Sequence, residues 1–423
     1  MFPQKSGRAS HKRGGVIKTA LYILLLPLYL IGRFIPKNDR LYAFGSRHGL
    51  EFADNSKYLF LYASEHIKNI KCVFISRNRE VVRLLTDNGY NAYYIFSWRG
   101  VITAVRAKKC FISNSTHDVH TLLIGGAEVI QLWHGTPLKQ ICYNADLMKG
   151  NFKIRIKYFI RGILFKFVPY LNTTMTFEKL VIASEYVKKN FQSAFKAKND
   201  QILVLGQARN DCLTDDFKFE KGVFPELKWL EQLRSKTNAV ITWMPTHRLM
   251  SGGATEDLVN GYSFDLRQLT DLMEKYNAHF IIKVHFLDSR GLKDKFKDCN
   301  RIILYRYSDP YPLLRYTDVL ITDYSSVYFD FLLLNRPIIF APFDYEWYVK
   351  HDASFYYDYN DVTPGDKCRN WNEVVGALDR LLIGLKSGEI DPYADMREEL
   401  CHLFNDYQGE NCKRTVDKLF NLS

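Results

Sequence analysis

The sequence predicts an α/β protein built from two doubly wound, Rossmann-type domains facing a cleft. Three observations carry that prediction. Short β-branched or aromatic runs alternate with helical stretches along the chain. The alternation halts around residues 206–212, passes through a charged connection and restarts at Ala239. The 423 residues also exceed what one ordinary core organises, so roughly two domains of about 150 to 200 residues are expected.

Taken in order, residues 1–36 form a basic and apolar segment. The apolar run Ala20 to Ile31 is bracketed by His11, Lys12, Arg13 and Lys18 before it and by Arg33 and Lys37 after it. It is short against the roughly 20 apolar residues a spanning helix needs, and no small-x-small cleavage pattern closely follows it. The expectation is a segment lying at or shallowly in the cytoplasmic leaflet, peripheral or monotopic.

Residues 37–213 read as the first α/β domain, with strands at Arg40 to Phe44, Lys71 to Ser76, Ala92 to Ile95, Lys109 to Ile112, Val129 to Trp133, Leu180 to Ala183 and Ile202 to Leu205. Within it, residues 152–168 read as an amphipathic helix. Lys153, Lys157 and Arg161 share one face and Phe152, Ile156, Ile160, Ile163 and Phe167 another, a pattern suited to anionic headgroups. Residues 214–236 are the linker. Residues 237–423 are the second domain, with strands at Ala239 to Met244, Phe280 to Val284, Ile302 to Tyr305, Val319 to Thr322 and Pro337 to Phe340, and helices at Leu266 to Tyr276, Tyr311 to Tyr316 and Ser325 to Leu334.

The net charge of +12 implies an anionic partner: nucleic acid, anionic lipid or a phosphorylated substrate. The eight cysteines are dispersed without a Cys-x-x-Cys pair, which reads as reduced thiols rather than structural zinc. Neither an Asp-x-Asp pair nor a Gly-Lys-Ser/Thr loop occurs, so the usual metal-diphosphate ligands are missing and no metal is expected.

The candidate chemistry sits at strand ends, where open parallel sheets bind ligands. Trp133-His134-Gly135-Thr136-Pro137-Leu138-Lys139 closes an apolar strand and places an imidazole there, making His134 a candidate general base. In the second half, Asp318 to Asp330 is a strand followed at once by a helix start. Capped by Asp323, that helix would offer its free N–H groups and the hydroxyls of Ser325 and Ser326 to phosphate, and Asp330, inward on the helix, would hold ribose hydroxyls. Thr246, His247 and Arg248 close one strand, and Lys283 and His285 another. Together they describe a diphosphate site that needs no metal. A plain nucleic-acid or membrane-binding protein has no use for polar groups at several strand ends.

These residues in this order resemble the CDP-glycerol:poly(glycerophosphate) glycerophosphotransferase family, the teichoic acid primases and polymerases and their capsule-building relatives. The matching elements are the Trp133 to Lys139 run, Gly206 to Asp211, Pro245 to Arg248, Lys283 to His285, Ile321 to Ser326 and Asn335 to Phe340. Departures fall at Ala208, where the family usually has proline, and at His247, where an aromatic residue is frequent. The resemblance implies a GT-B-like fold with acceptor-binding and CDP-donor-binding domains. It implies His134 as base, His285 and Ser325 on the donor pyrophosphate, and Gly135, Thr136, Lys139 and Arg209 on the acceptor side; His285 is with His134 a candidate catalytic residue, able when protonated to donate to the leaving group. The implied reaction moves glycerol phosphate from CDP-glycerol to a hydroxyl of a membrane-anchored glycan or growing polymer and releases CMP, with no cofactor beyond the co-substrate. The implied partners are a lipid-linked saccharide or polymer acceptor and the anionic cytoplasmic face of the membrane. A CDP-ribitol donor, or a nucleotide sugar used by a GT-B glycosyltransferase, is the alternative.

Overall fold

The computed structural model describes residues 24–145, 163, 165, 168, 171–219, 221–246, 254–284, 292, 295, 296, 299–389 and 391–420. It contains two parallel sheets with helices between their strands, the two-domain α/β arrangement the alternation predicts. The chain separates into two compact units that interleave in sequence. One runs to His134 and includes the stretch ending at Leu180; the other takes the stretch starting at Gly135 and then Val181–Phe420.

The first sheet comprises β1 (Asn38–Gly45), β2 (Lys71–Ser76), β3 (Ala92–Tyr94), β4 (Ala107–Ile112), β5 (Glu128–Gln131), β6 (Lys179–Ile182) and β7 (Ile202–Val204), in the order β3-β2-β1-β4-β5-β6-β7. Its pairings from β3 through β6 are parallel. The order reverses between β1 and β4, so the loops leaving those two strands diverge and open a crevice at their carboxyl ends. Apolar runs make these strands because both faces are covered: Tyr42, Phe44, Phe74 and Phe111 are fully buried, and Phe44 stacks on Phe111 at 4.7 Å. Side-chain caps start the helices that follow β2 and β3. Asn78 accepts from the N–H of Glu80 and Ser97 from that of Gly100, each worth about 1 kcal/mol.

The second sheet comprises β8 (Ala239–Met244), β9 (Ala278–Ile282), β10 (Ile302–Leu304), β11 (Val319–Thr322), β12 (Ile338–Phe340) and β13 (Asp366–Lys367), all parallel, in the order β10-β9-β8-β11-β12-β13. Here the reversal lies between β8 and β11. Trp243 and Trp371 meet edge to face at 5.0 Å in the core, where the capped helix Trp371–Ser387 covers the sheet.

Several elements differ from expectation, among them the stretch 214–236 read as a linker, which holds the helix Leu227–Arg234, and β9, which starts and ends two residues early. The fifth strand stops at Gln131, because Trp133 takes a left-handed φ of 54° that no ladder accommodates. The helix expected from Ser325 is a short turn, Val327–Phe331, continued as a 3-10 turn through Leu334. The two-residue β13 carries no apolar signal.

Among the described residues no helix is long and apolar enough to cross a membrane. The described part of the N-terminal apolar run is the helix Leu26–Phe34. Gly125 lets its backbone come close, and Lys37 Nζ donates to the carbonyls of Gly32 (3.1 Å) and Val105 (2.6 Å). Leu28, Leu30, Ile31 and Phe34 remain exposed. Lys153, Lys157 and Arg161 lie outside the described residues.

Candidate active site

In the first unit, the turn carrying the imidazole is built from the start of the helix after β1. Asn55 is buried there, and its Nδ2 donates to the carbonyls of Leu132 (3.0 Å) and Trp133 (2.9 Å). That clamp holds a tryptophan in a backbone conformation it would otherwise avoid, the kind of strain that persists only where the surroundings impose it. The next residue on the helix, Ser56, reaches the loop after β4 through its N–H (3.0 Å) and hydroxyl (2.8 Å), both to Ser113 Oγ.

His134 is half-buried, with Nδ1 3.1 Å from the Ser113 carbonyl and its ring 4.0 Å from that of Trp133. A carbonyl only accepts, so the bond requires the proton on Nδ1. In the neutral ring the basic lone pair is then on Nε2. The Ser113 loop is itself held by Asp118, fully buried, whose carboxylate accepts from the N–H groups of His48 (2.7 Å), Ser113 (3.0 Å), Asn114 (2.7 Å) and Ser115 (3.3 Å). Burial pushes the Asp118 pKa up to about 7, against the pull of those donors.

In the second unit the residue after His134 must be glycine. Gly135 has φ +131°, and a Cβ there would stand 2.6 Å from Arg209 Nη2 and 3.5 Å from Ser326 Oγ. Arg209 is held in turn by Asp330, which points inward as the helical spacing predicts. Asp330 Oδ2 accepts from Arg209 Nη2 (2.7 Å) and Tyr311 Oη (2.6 Å), with side-chain exposures of 3% for Arg209 and 1% for Asp330. At that burial the pair stands or falls together, since either charge alone would be uncompensated.

Asp323 is also interior. Its Oδ1 accepts from the N–H of Thr246 (2.8 Å) and of Tyr324 (2.6 Å), tying the end of β8 to the end of β11 across the reversal of this sheet. Ser325 and Ser326 are half-buried at the helix start, and Ser325 Oγ accepts from the N–H of Val327 at 3.4 Å. Thr136 is buried. Lys139 lies over the Tyr348 ring on a short antiparallel bridge to Phe355. Lys283, just past the end of β9, donates from Nζ to the Tyr307 carbonyl at 2.5 Å.

The structure therefore brings together Gly135, Arg209, Ser326 and Asp330, and separately Thr246 with Asp323. His247, Arg248 and His285 lie outside the described residues. Asn55, Asp118 and Tyr311 escape sequence reasoning: each acts through partners far along the chain, although the polar run Asp54-Asn55-Ser56-Lys57 opening a fully buried helix turn was a usable signal.

The family described as CDP-Glycerol:Poly(glycerophosphate) glycerophosphotransferase matches residues 28–421. The chain belongs to that family. It is accordingly an enzyme of the transferase class. It is 27% identical over 397 residues to a teichoic acid poly(glycerol phosphate) polymerase of Bacillus spizizenii, covering 91% of this chain and 93% of the relative. Against a teichoic acid glycerol-phosphate transferase of Staphylococcus aureus the identity is 28% over 355 residues, covering 81% and 84%. The solved structure of the wall teichoic acid polymerase TagF superposes with a TM-score of 0.69 at 21% identity over 96% of this chain and 95% of that one, which establishes the shared GT-B-like fold.

Proposed function

We propose that this enzyme transfers glycerol phosphate, or a related polyol phosphate, from its CDP-activated form to a hydroxyl of a membrane-anchored glycan or growing polymer. The acceptor oxygen attacks the phosphorus that bears the glycerol. The bond from that phosphorus to the bridging oxygen breaks, and CMP leaves with the electron pair. His134 Nε2 takes the acceptor proton, a general-base contribution of about 10²- to 10⁴-fold. Ser325, Ser326, Arg248, Lys283 and His285 meet the charge that builds on the phosphoryl oxygens, in place of a metal ion. Asp323, Thr246, Arg209 and Asp330 shape the ground on which those groups stand.

The observation that carries this reading is the His134 tautomer. Its Nδ1 is committed to the Ser113 carbonyl, which puts the basic lone pair of the neutral ring on Nε2. The exposed face of the helix Leu26–Phe34, with Arg33 in its last turn, supports contact with the membrane surface.

The test is a donor panel of CDP-glycerol, CDP-ribitol and common nucleotide sugars with a glycan acceptor. CMP release from CDP-glycerol is expected, falling by about 10²-fold or more in His134→Ala while CDP-glycerol still binds. Release of UDP or GDP instead, or full activity in that variant, would overturn the reading.

A further inference from the structure

We infer that Arg77, with His48 and the hydroxyl-lined loop of residues 115–121, binds a phosphate group of the acceptor. The inference rests on the transfer reading above and adds a subsite to it in the first unit.

The place is the carboxyl edge of the first sheet at its topological reversal, where ligands of open α/β sheets bind. The loop after β1 and the loop after β4 meet there: the His48 N–H donates to Asp118, and His48 Nδ1 lies 3.2 Å from Ser115 Oγ. His117 faces His48 edge to face with ring centroids 6.1 Å apart, and its Nδ1 is 2.9 Å from Thr121 Oγ1. Arg77 enters from the end of β2. Its N–H donates to the Gly49 carbonyl at 2.6 Å, and Gly49 has a φ of +78° that disfavours any side chain, a Cβ there standing 3.2 Å from Arg77 Cγ.

The charge at this edge is unmatched. Among the described residues Arg77 has no carboxylate partner, and its Nε is buried without a hydrogen-bond acceptor. Its guanidinium lies 5.6 Å over the Phe96 ring, which reaches His120 at 6.3 Å, and His120 Nδ1 is likewise buried without a partner. The neighbouring Arg47 is different, since its Nε stands 2.5 Å from Asp54 Oδ2. Burial, then the cations Arg77 and Arg47, lower the pKa of His48, and the fixed positive charge here is the guanidinium. A half-buried guanidinium whose Nε has no acceptor among the described residues, beside the His48 imidazole and the hydroxyls of the 115–121 loop, matches a phosphate rather than a cation or a bare hydroxyl. Such a group would anchor an acceptor that carries phosphate beside the hydroxyl to be extended.

The test uses the full chain and two probes in calorimetric titration: a soluble synthetic glycerol phosphate oligomer and CDP-glycerol. Arg77→Gln is expected to weaken the oligomer about ten-fold or more and to leave CDP-glycerol binding unchanged, which also reports that the variant is folded. Should Arg77→Gln not fold, Arg77→Lys carries the test, because it keeps stem and charge but loses the fork and is expected to show a smaller weakening. Unchanged oligomer affinity in the folded variant overturns the proposal. Dependence on Arg77 for vesicles of phosphatidylglycerol but not for the oligomer also overturns it, in favour of a lipid headgroup. Arg77-dependent oligomer binding without any CMP release from CDP-glycerol would leave the anion site standing and remove the transfer reading; CMP release with an oligomer KM insensitive to Arg77 would do the reverse.

Discussion

The two sheets reverse strand order in the same way, yet an arginine at each reversal is partnered differently. In the second sheet the buried Arg209 is matched by Asp330 and Tyr311, and Asp323 spends its carboxylate on the backbone of Thr246 and Tyr324. In the first sheet the buried carboxylate of Asp118 likewise serves backbone N–H groups, but among the described residues Arg77 has no carboxylate partner and its Nε no acceptor. A buried charge with its partner in place fixes architecture; a half-buried one with an unpaired donor is open to a ligand that completes the hydrogen bonding. Residue type alone does not separate these roles, since both edges draw on arginine and aspartate.

The sharpest way to break this contrast is to remove one half of the matched pair. Asp330→Ala leaves Arg209 buried and uncompensated and is expected to cost about 3 to 5 kcal/mol in denaturant unfolding, most of it recovered when Arg209→Met is added. A loss below about 1 kcal/mol, the size of an exposed pair, would show that the pair does not hold this edge together.

A second test concerns the protons of the first edge. Asp118, with its pKa pushed up from 3.8 to about 7, favours folding most at low pH, and that contribution is lost as pH rises toward 7. His120 runs the other way: burial and Arg77 lower it from 6.5 to about 4, so its contribution is present above 6.5 and lost as pH falls toward 4. Between about pH 4 and 6.5 the two offset one another. Asp118→Asn should therefore make stability fall on acidification through that window, and His120→Gln should make it rise, both read from unfolding midpoints across pH. Parallel profiles in the two variants would show that these groups do not titrate as opposed partners.

The smallest effect concerns the surface of the first unit. Leu28→Ser with Phe34→Ser removes exposed apolar area from the helix Leu26–Phe34, and should lower binding to anionic vesicles several-fold while the melting temperature stays within about a degree. Equal vesicle binding would move membrane attachment elsewhere on the chain.

Much of this was legible before folding. The strands at Lys71–Ser76, Ala239–Met244 and Val319–Thr322 begin and end where their apolar runs do, because a strand buried on both faces tolerates little else. The turn after Gln131 was legible as a place, through its Gly-Thr-Pro composition, and His134 with it. Its mechanism of support was not, since Asn55 and Asp118 look like ordinary helix-start and loop residues until the chain closes on itself. Asp330 was legible as inward-facing from helical spacing, but its pairing with Arg209 joins positions far apart in the chain.

By itself, then, the sequence determined the alternation of elements, the split into two sheets and the set of polar groups at strand ends, because hydrophobic period and turn chemistry are local properties. Only the tertiary structure decided which of those groups neutralise one another, which nitrogen of His134 carries the proton, and that Arg77 Nε has no acceptor among the described residues. Hydrogen-bond and charge matching depend on distances between residues that the chain brings together from remote positions.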